Sequence, residues 1–243
     1  MHELILVIVG FVVAFIGTMS GGGAGLLALS TLLYFGLPIN QAIATNKFGD
    51  LGFFLPAVRN FAKAKQIKKK ALPRIIIVNL MGVTIGTLLI ARLDIDILRK
   101  LVAMILAVII ISSLRRKEYA LKERPAKWYW PAIYFGTSIS SGAVGAGTGI
   151  LGTLTLMYFR GFNALQAMAH SFFANTIGSA LSVSILLFTG LIDYKYALPL
   201  LVGNVIGSHF GSKIAIQKGN RFVRVMIILV AIAVILQLVF GQK

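Results

Sequence analysis

Two glycine clusters carry the clearest chemical signal in this sequence. The first is "SGGGAG", residues 20–25, and the second is "SGAVGAGTG", residues 141–149. Both interrupt apolar runs. Glycine costs about 1 kcal/mol relative to alanine in a helix interior, so such breaks need a reason. A helix that starts just after a break points unpaired backbone N–H groups and its positive dipole end forward. That arrangement suits an anion, and glycine lets a ligand approach the backbone closely. Ser20, Gly21, Gly22 and Gly23 are the candidate ligands at the first break, and Gly145, Gly147 and Thr148 at the second. The competing reading is that the glycines only allow helices to pack tightly.

Two polar stretches, "TNKFGD" at 45–50 and "HSFFAN" at 170–175, supply the remaining chemistry. Thr45, Asn46, Lys47, His170 and Ser171 are candidate substrate-binding residues, with Lys47 or His170 attracting negative charge. Asp50 and His170 are candidate proton carriers, histidine because its free pKa lies near neutrality. Lys47 and Asp50 are one helical turn apart and can pair. The alternative for Lys47 is a side chain that snorkels to the outer interface, with Asp50 as its local partner. For His170 it is a hydrogen-bonded structural role. Asn79 and Asn204 fall mid-helix, each followed by glycines at +3 and +7. With Asn175 they either line a pathway or bond between helices at a packing face.

Enzymatic chemistry finds little support. No HExxH, GxSxG or Walker pattern occurs, and the histidines are His2, His170 and His209. The acidic residues form no obvious metal cluster. "GAGTGILG" at 145–152 matches GxGxxG but lacks the strand and βαβ context that motif needs. No catalytic residue, metal or cofactor is expected. There is no nucleotide-binding domain, so any transport by this chain would run on an ion gradient or downhill flow.

These residues must be positioned by membrane helices. The chain has 243 residues, 58% of them hydrophobic and 13% charged, with a mean hydropathy of +0.88. Soluble domains are nearer half apolar and a quarter charged. Several runs approach the roughly 20 apolar residues that span a bilayer. A signal peptide is not expected, because residues 1–18 lack a basic start and a small-residue cleavage site. There are no cysteines, which excludes disulfides and thiolate chemistry. The net charge of +17 sits in short loops such as "KAKQIKKK" (63–70) and "RRKEYALKERPAK" (115–127). That is the footprint of cytoplasmic loops in contact with anionic lipids, and it argues against a nucleic-acid partner.

The sequence is internally duplicated. "TLLYF" at 31–35 meets "TLMYF" at 155–159 at an offset of 124, which places Gly21, Gly23 and Gly25 on Gly145, Gly147 and Gly149. At an offset of 125, Thr45 and Asn46 fall on His170 and Ser171, and Asp50 on Asn175. At the same offset Asn79, Gly82 and Gly86 fall on Asn204, Gly207 and Gly211. The expected fold is an all-α integral membrane protein of two tandem homologous repeats. Each has a glycine-broken helix or hairpin (4–35; 131–159) followed by three helices (40–61, 72–91, 96–114; 163–189, 197–216, 221–240). The expected units are residues 1–114, a basic cytoplasmic linker 115–128, and 129–243.

Charge distribution chooses the topology. If each broken segment crosses once, the halves are parallel and the basic loop 213–224 falls outside. If each returns to its own side, the halves are inverted, and 63–70, 115–127, Arg160 and 213–224 all become cytoplasmic. The outer set is then Lys47, Arg92, Arg99, Lys100, Lys195 and Lys243, and both termini lie outside. The inverted arrangement fits better. Inverted repeats with broken helices recur in secondary transporters, with the substrate near the midplane. Both breaks are therefore expected to converge there on one anion.

The stretch "GTMSGGGAGLLALSTLLYFGLPINQAIATNKFGD" (17–50) and its repeat "SSGAVGAGTGILGTLTLMYFRGFNALQAMAHSFFAN" (140–175) resemble the TauE/SafE family of sulfite and organosulfur anion permeases. The shared pattern is a glycine-rich break, an apolar stretch and a short polar element, here "ATN" (44–46) and "AHS" (169–171). The resemblance covers nearly the whole chain. It implies a secondary transporter of small anions such as sulfite or sulfonates, mostly an exporter, in a prokaryotic cell membrane. Protons or another ion would couple the transport. An anion channel of the same fold is the alternative, and a membrane scaffold or enzyme a more distant one.

Overall fold

The computed structural model describes residues 2–89, 121, 123–145 and 148–240. The expected fourth helix of the first half, the linker up to residue 120, and Gly147 lie outside them. The described residues form helices and turns, with no strand among them.

The helices are α1 (His2–Met19), α2 (Gly25–Tyr34), α3 (Ile39–Lys63), α4 (Leu72–Leu88), α5 (Trp130–Ala143), α6 (Gly149–Tyr158), α7 (Ala164–Leu187) and α8 (Tyr194–Phe240). Their boundaries follow local chemistry. Pro73 and Pro131 stand in the first turns of α4 and α5, where a missing N–H costs nothing. The Asn163 side chain accepts from Gln166 N at 2.9 Å and starts α7, as an N-cap does. α8 bends at Gly219, where φ is 78°, so residues 194–218 and 220–240 form two arms. The broken segments 4–35 and 131–159 are each a helix pair, α1 with α2 and α5 with α6. The second helix of each pair has ten residues, about 15 Å, or half the hydrocarbon thickness.

Two helices, Lys69–Leu88 and Ala164–Leu187, are long and apolar enough to cross a bilayer. The distribution of polarity runs opposite to that of a water-soluble protein. Phe188 and Tyr34 are 94% and 87% exposed, and Leu4, Leu55 and Leu88 lie outward as well, whereas Asn46, Lys47, Asn79, His170 and Asn204 are buried. Large contiguous apolar surface marks contact with something other than water, and this surface faces outward around most of the helices.

The chain is laced across its own length. α1 packs along the first arm of α8, and α5 packs along α4. A β-carbon on Gly207 or Gly211 would collide with the carbonyls of Phe11 and Phe15. One on Gly82 or Gly86 would collide with those of Phe135 and Ile139. Each collision pair in the first group stands 124 or 125 residues from its counterpart in the second. α3 and α7 cross at the centre, α3 also resting on the first arm of α8 and α7 on α4. The helix breaks lie against this crossing.

Candidate functional site

Gly21 and Gly22 have φ of 82° and 96°, and Gly145 has 69°. L-residues with side chains rarely adopt this left-handed region, so the breaks are built into the backbone. The two breaks meet. A β-carbon on Gly22 would lie 3.3 Å from Gly149 Cα, and one on Gly149 would lie 3.3 Å from Gly22 O. The Thr153 hydroxyl donates to Gly21 O at 3.0 Å, fastening α6 to the first break. α2 and α6 start here without any side-chain cap, leaving N–H groups of their first turns for another acceptor. Some polar groups are already engaged. Gly22 N donates to Gly17 O at 2.8 Å. The Ser20 hydroxyl donates to Ile16 O at 2.9 Å, and that of Thr148 to Gly145 O at 3.0 Å.

α3 brings Asn46, Lys47 and Asp50 to this junction. Lys47 is 3% exposed, so it does not snorkel to the outer interface. Its Nζ donates to Ser141 O at 2.7 Å, in the last turn of α5, where a cation complements the negative end of the dipole. Lys47 and Asp50 interact electrostatically, and both border Gly145. A β-carbon there would stand 3.2 Å from Lys47 Nζ and 3.5 Å from Asp50 Oδ2. Asn46 is 2% exposed, and its side-chain N–H group has no hydrogen-bond partner among the described residues.

Gly22, Gly25, Asn46, Asp50, Gly149 and Asn204 line a cavity of about 10 Å³, the room of about one water. Asn204 Nδ2 donates to Gly49 O at 2.9 Å, while its Oδ1 is unpartnered. A second pocket is bounded by Asn79, Tyr134, Ser138, Thr148, Gly152 and Asn175, with no free space for a water. There Asn79 Nδ2 donates to Asn175 Oδ1 at 3.1 Å and Ser138 Oγ at 3.3 Å. Ser171 lies beside it, within 3.5 Å of Asn175 Nδ2. The structure therefore gathers Gly21, Gly22, Gly145, Asn46, Lys47, Asp50, Thr148, Ser171, Asn79, Asn175 and Asn204 into one polar centre, whereas a β-carbon on Gly23 would face Val230 and Ile150.

Thr45 and His170 are not part of that centre. Thr45 Oγ1 accepts from Asp193 N at 3.1 Å, and His170 Nε2 accepts from Lys68 N at 3.0 Å. Both contacts tie a helix of the central crossing to the loop that leads into a third helix. Position 170 is 125 residues after 45, and 193 is 125 after 68, so the two anchors correspond. The second ring nitrogen of His170 pairs with Gln166 O at 2.7 Å, and its ring stacks on Phe162 at 4.3 Å. The two residues hold loops.

Sequence reasoning missed three contributors. Thr153 fastens the breaks together. Tyr134 is 1% exposed against the second pocket. Phe172 packs on Phe53, Phe54 and Phe61 with ring centroids 5.7, 5.5 and 6.0 Å away, and its Cε1 lies 3.5 Å from a β-carbon built on Gly22. The 125-residue offset places Phe172 opposite Lys47. That mismatch of residue type was the available signal.

Known proteins match almost the whole chain. A sequence profile described as "Sulfite exporter TauE/SafE" matches residues 6–238. A "Probable membrane transporter protein" of Haemophilus influenzae is 29% identical, over 98% of this chain and 94% of that protein. The "Probable membrane transporter protein YfcA" of Escherichia coli is 26% identical, over 98% and 90%. One of Sinorhizobium, "ORF9", is 25% identical over 96% and 90%. No solved structure matches. With the match running through every described helix, this membrane-transport chain belongs to the TauE/SafE sulfite exporter family.

Proposed function

We propose that this protein is a secondary transporter, working as an exporter, of a small anion such as sulfite or an organosulfonate. It resides in the cell membrane of a prokaryote and spans it several times. Its halves, 1–114 and 129–243, are joined by the basic linker 115–128 and lie inverted, with the substrate between them. The observation that carries the reading is the meeting of the two glycine breaks. Two uncapped helix starts converge beside the Lys47 ammonium and the unpartnered Asn46 amide. Backbone N–H groups, an amide and an ammonium together make an anion site.

The inverted arrangement draws support from the paired contacts 125 residues apart and from the basic loops. The cavity of about 10 Å³ is too small for sulfite. An occluded state of an alternating-access cycle explains this better than a channel. Opening requires the breaks to separate, exposing the site to one side at a time. Asp50, bordering both breaks, is the proton-coupling candidate that the geometry favours. His170 holds a loop and is a weaker one.

Purified protein screened by thermal shift and by proteoliposome flux against sulfite, sulfate, thiosulfate, sulfoacetate, taurine and a cation control tests the reading. Sulfite or a sulfonate raises the melting temperature and is transported. A flat response to every anion overturns it. Flux in Asp50→Asn that keeps the wild-type pH dependence overturns proton coupling alone.

A further inference from the structure

The outer face where α3 meets the first arm of α8 carries a groove of about 690 Å³. Its walls are apolar, with Leu55, Val205, Ile206 and Phe210 all substantially exposed. One end is basic and holds Arg59 and His209. Arg59 comes four residues before Lys63, the last residue of α3, and His209 four before Lys213. Each is therefore about 6 Å from its helix's next lysine. Arg59 and the His209 ring thus stand at one level, next to the basic end of the bundle.

The helices under the groove are fixed. Asn60 Nδ2 donates to His209 O at 3.0 Å and to Ser212 Oγ at 2.8 Å. Ser208 Oγ donates to Phe53 O at 2.5 Å. The groove is therefore preformed. No carboxylate lines it. Arg59 is exposed and has no acidic partner there.

The corresponding face of α7 and α4 provides an internal control. The 125-residue offset puts Ser184 opposite Arg59 and Thr84 opposite His209. Both hydroxyls donate to carbonyls of their own helices, Ser184 to Ala180 O at 2.9 Å and Thr84 to Leu80 O at 2.8 Å. At these two matching positions, among the described residues, the second face has hydroxyls in place of Arg59 and His209.

We infer that this groove binds an anionic phospholipid, an acyl chain along Leu55, Val205 and Phe210 and the phosphate on Arg59 and His209. Basic pockets between helices on the cytoplasmic side suit acidic headgroups. A second copy of the chain fits worse. A twofold contact sets a patch against itself and would bring Arg59 near the same cation of the second copy in a chain of net charge +17. Assignment to the inner leaflet rests on the inverted arrangement proposed above. Recognition of the phosphate does not.

The test is retention of synthetic phosphatidylglycerol and phosphatidylcholine by the purified full chain, read by native mass spectrometry after delipidation and titration. Wild type retains phosphatidylglycerol in preference to phosphatidylcholine. Arg59→Gln weakens that retention about fivefold and His209→Ala, which removes a hydrogen-bonding ring, weakens it less, while Lys218→Gln, outside the groove, leaves it unchanged. Val205→Trp fills the groove with Arg59 and His209 in place and lowers retention as well, a second route if a polar variant folds poorly. Equal retention of the two lipids by wild type, or unchanged retention in all three groove variants, overturns the inference. So does a dimer that Val205→Trp dissociates without loss of lipid. The sulfite thermal shift is measured on the same samples. It stays intact if only the lipid site fails and is absent if the anion reading fails.

Discussion

The two glycine breaks share a backbone plan and differ in what the central crossing presents to them. At the second break α3 offers Lys47, whose ammonium reaches Ser141 O at 2.7 Å beside Gly145. At the first break α7 offers Phe172 from the matching position, and its ring joins Phe53, Phe54 and Phe61. One junction thus has a buried charge and the other an aromatic cluster. The proposed duplicate scaffold preserves glycine positions, because a positive φ and close helix contact leave little choice of residue. It is free to diverge in the side chains that face the breaks. Function is therefore best sought where the halves disagree.

The largest expected effect comes from removing the charge. Lys47→Met leaves Asp50 facing the break without its cation, which costs about 3 kcal/mol of stability. It also strips the proposed site of its strongest donor, and anion flux falls about tenfold or more. Calorimetry and proteoliposome flux measure the two effects, and wild-type flux in this variant would break the comparison. Phe172→Ala removes packing and lowers stability by about 3 kcal/mol. The upward thermal shift with substrate persists, because no ligand group is lost. A Phe172→Ala protein as stable as wild type but blind to sulfite would reverse the roles of the two junctions.

The smallest effect lies at the basic loops. Hydrogen bonds from Lys68 first, and then from Gln166, hold the Glu123 carboxyl below its ordinary 4.5. A lowered pKa means that the folded state favours the ionised form. The contribution is present above pH 4.5 and is lost as the pH falls through the lowered value. Glu123 is largely exposed, so Glu123→Gln changes stability by only about 0.5 kcal/mol. That loss shows at neutral pH and vanishes in acid in a melting series across pH. A difference that grows on acidification would contradict it.

The breaks and the helix boundaries were legible because they rest on local backbone chemistry. Gly21, Gly22 and Gly145 mark turns wherever they occur, and Pro73 and Asn163 mark helix starts. The role of His170 was not legible. The residue type invites a proton reading, yet its partner is a backbone N–H more than a hundred positions away, and no spacing rule reports such a contact. Lys47 was open to both readings until its neighbour was known. A lysine near a helix end ordinarily reaches for water, and here the carbonyl of another broken helix takes its place. The aromatic cluster around Phe172 was not legible, because packing partners from α3 and α7 have no common sequence signal.

The lacing of the chain has a consequence for biosynthesis. α1 is made first, and its packing partner, 194–218, comes almost last. At roughly 5–20 residues per second of translation, α1 waits on the order of 10–40 seconds in the bilayer before the arm that covers its glycine-lined face is made. During that interval Gly10, which the arm covers at Leu200 and Gly203, presents bare backbone to lipid or to an insertion partner. Quality control of this fold is therefore a matter of timing, and faster or slower translation of the second half should change how much protein reaches the finished state.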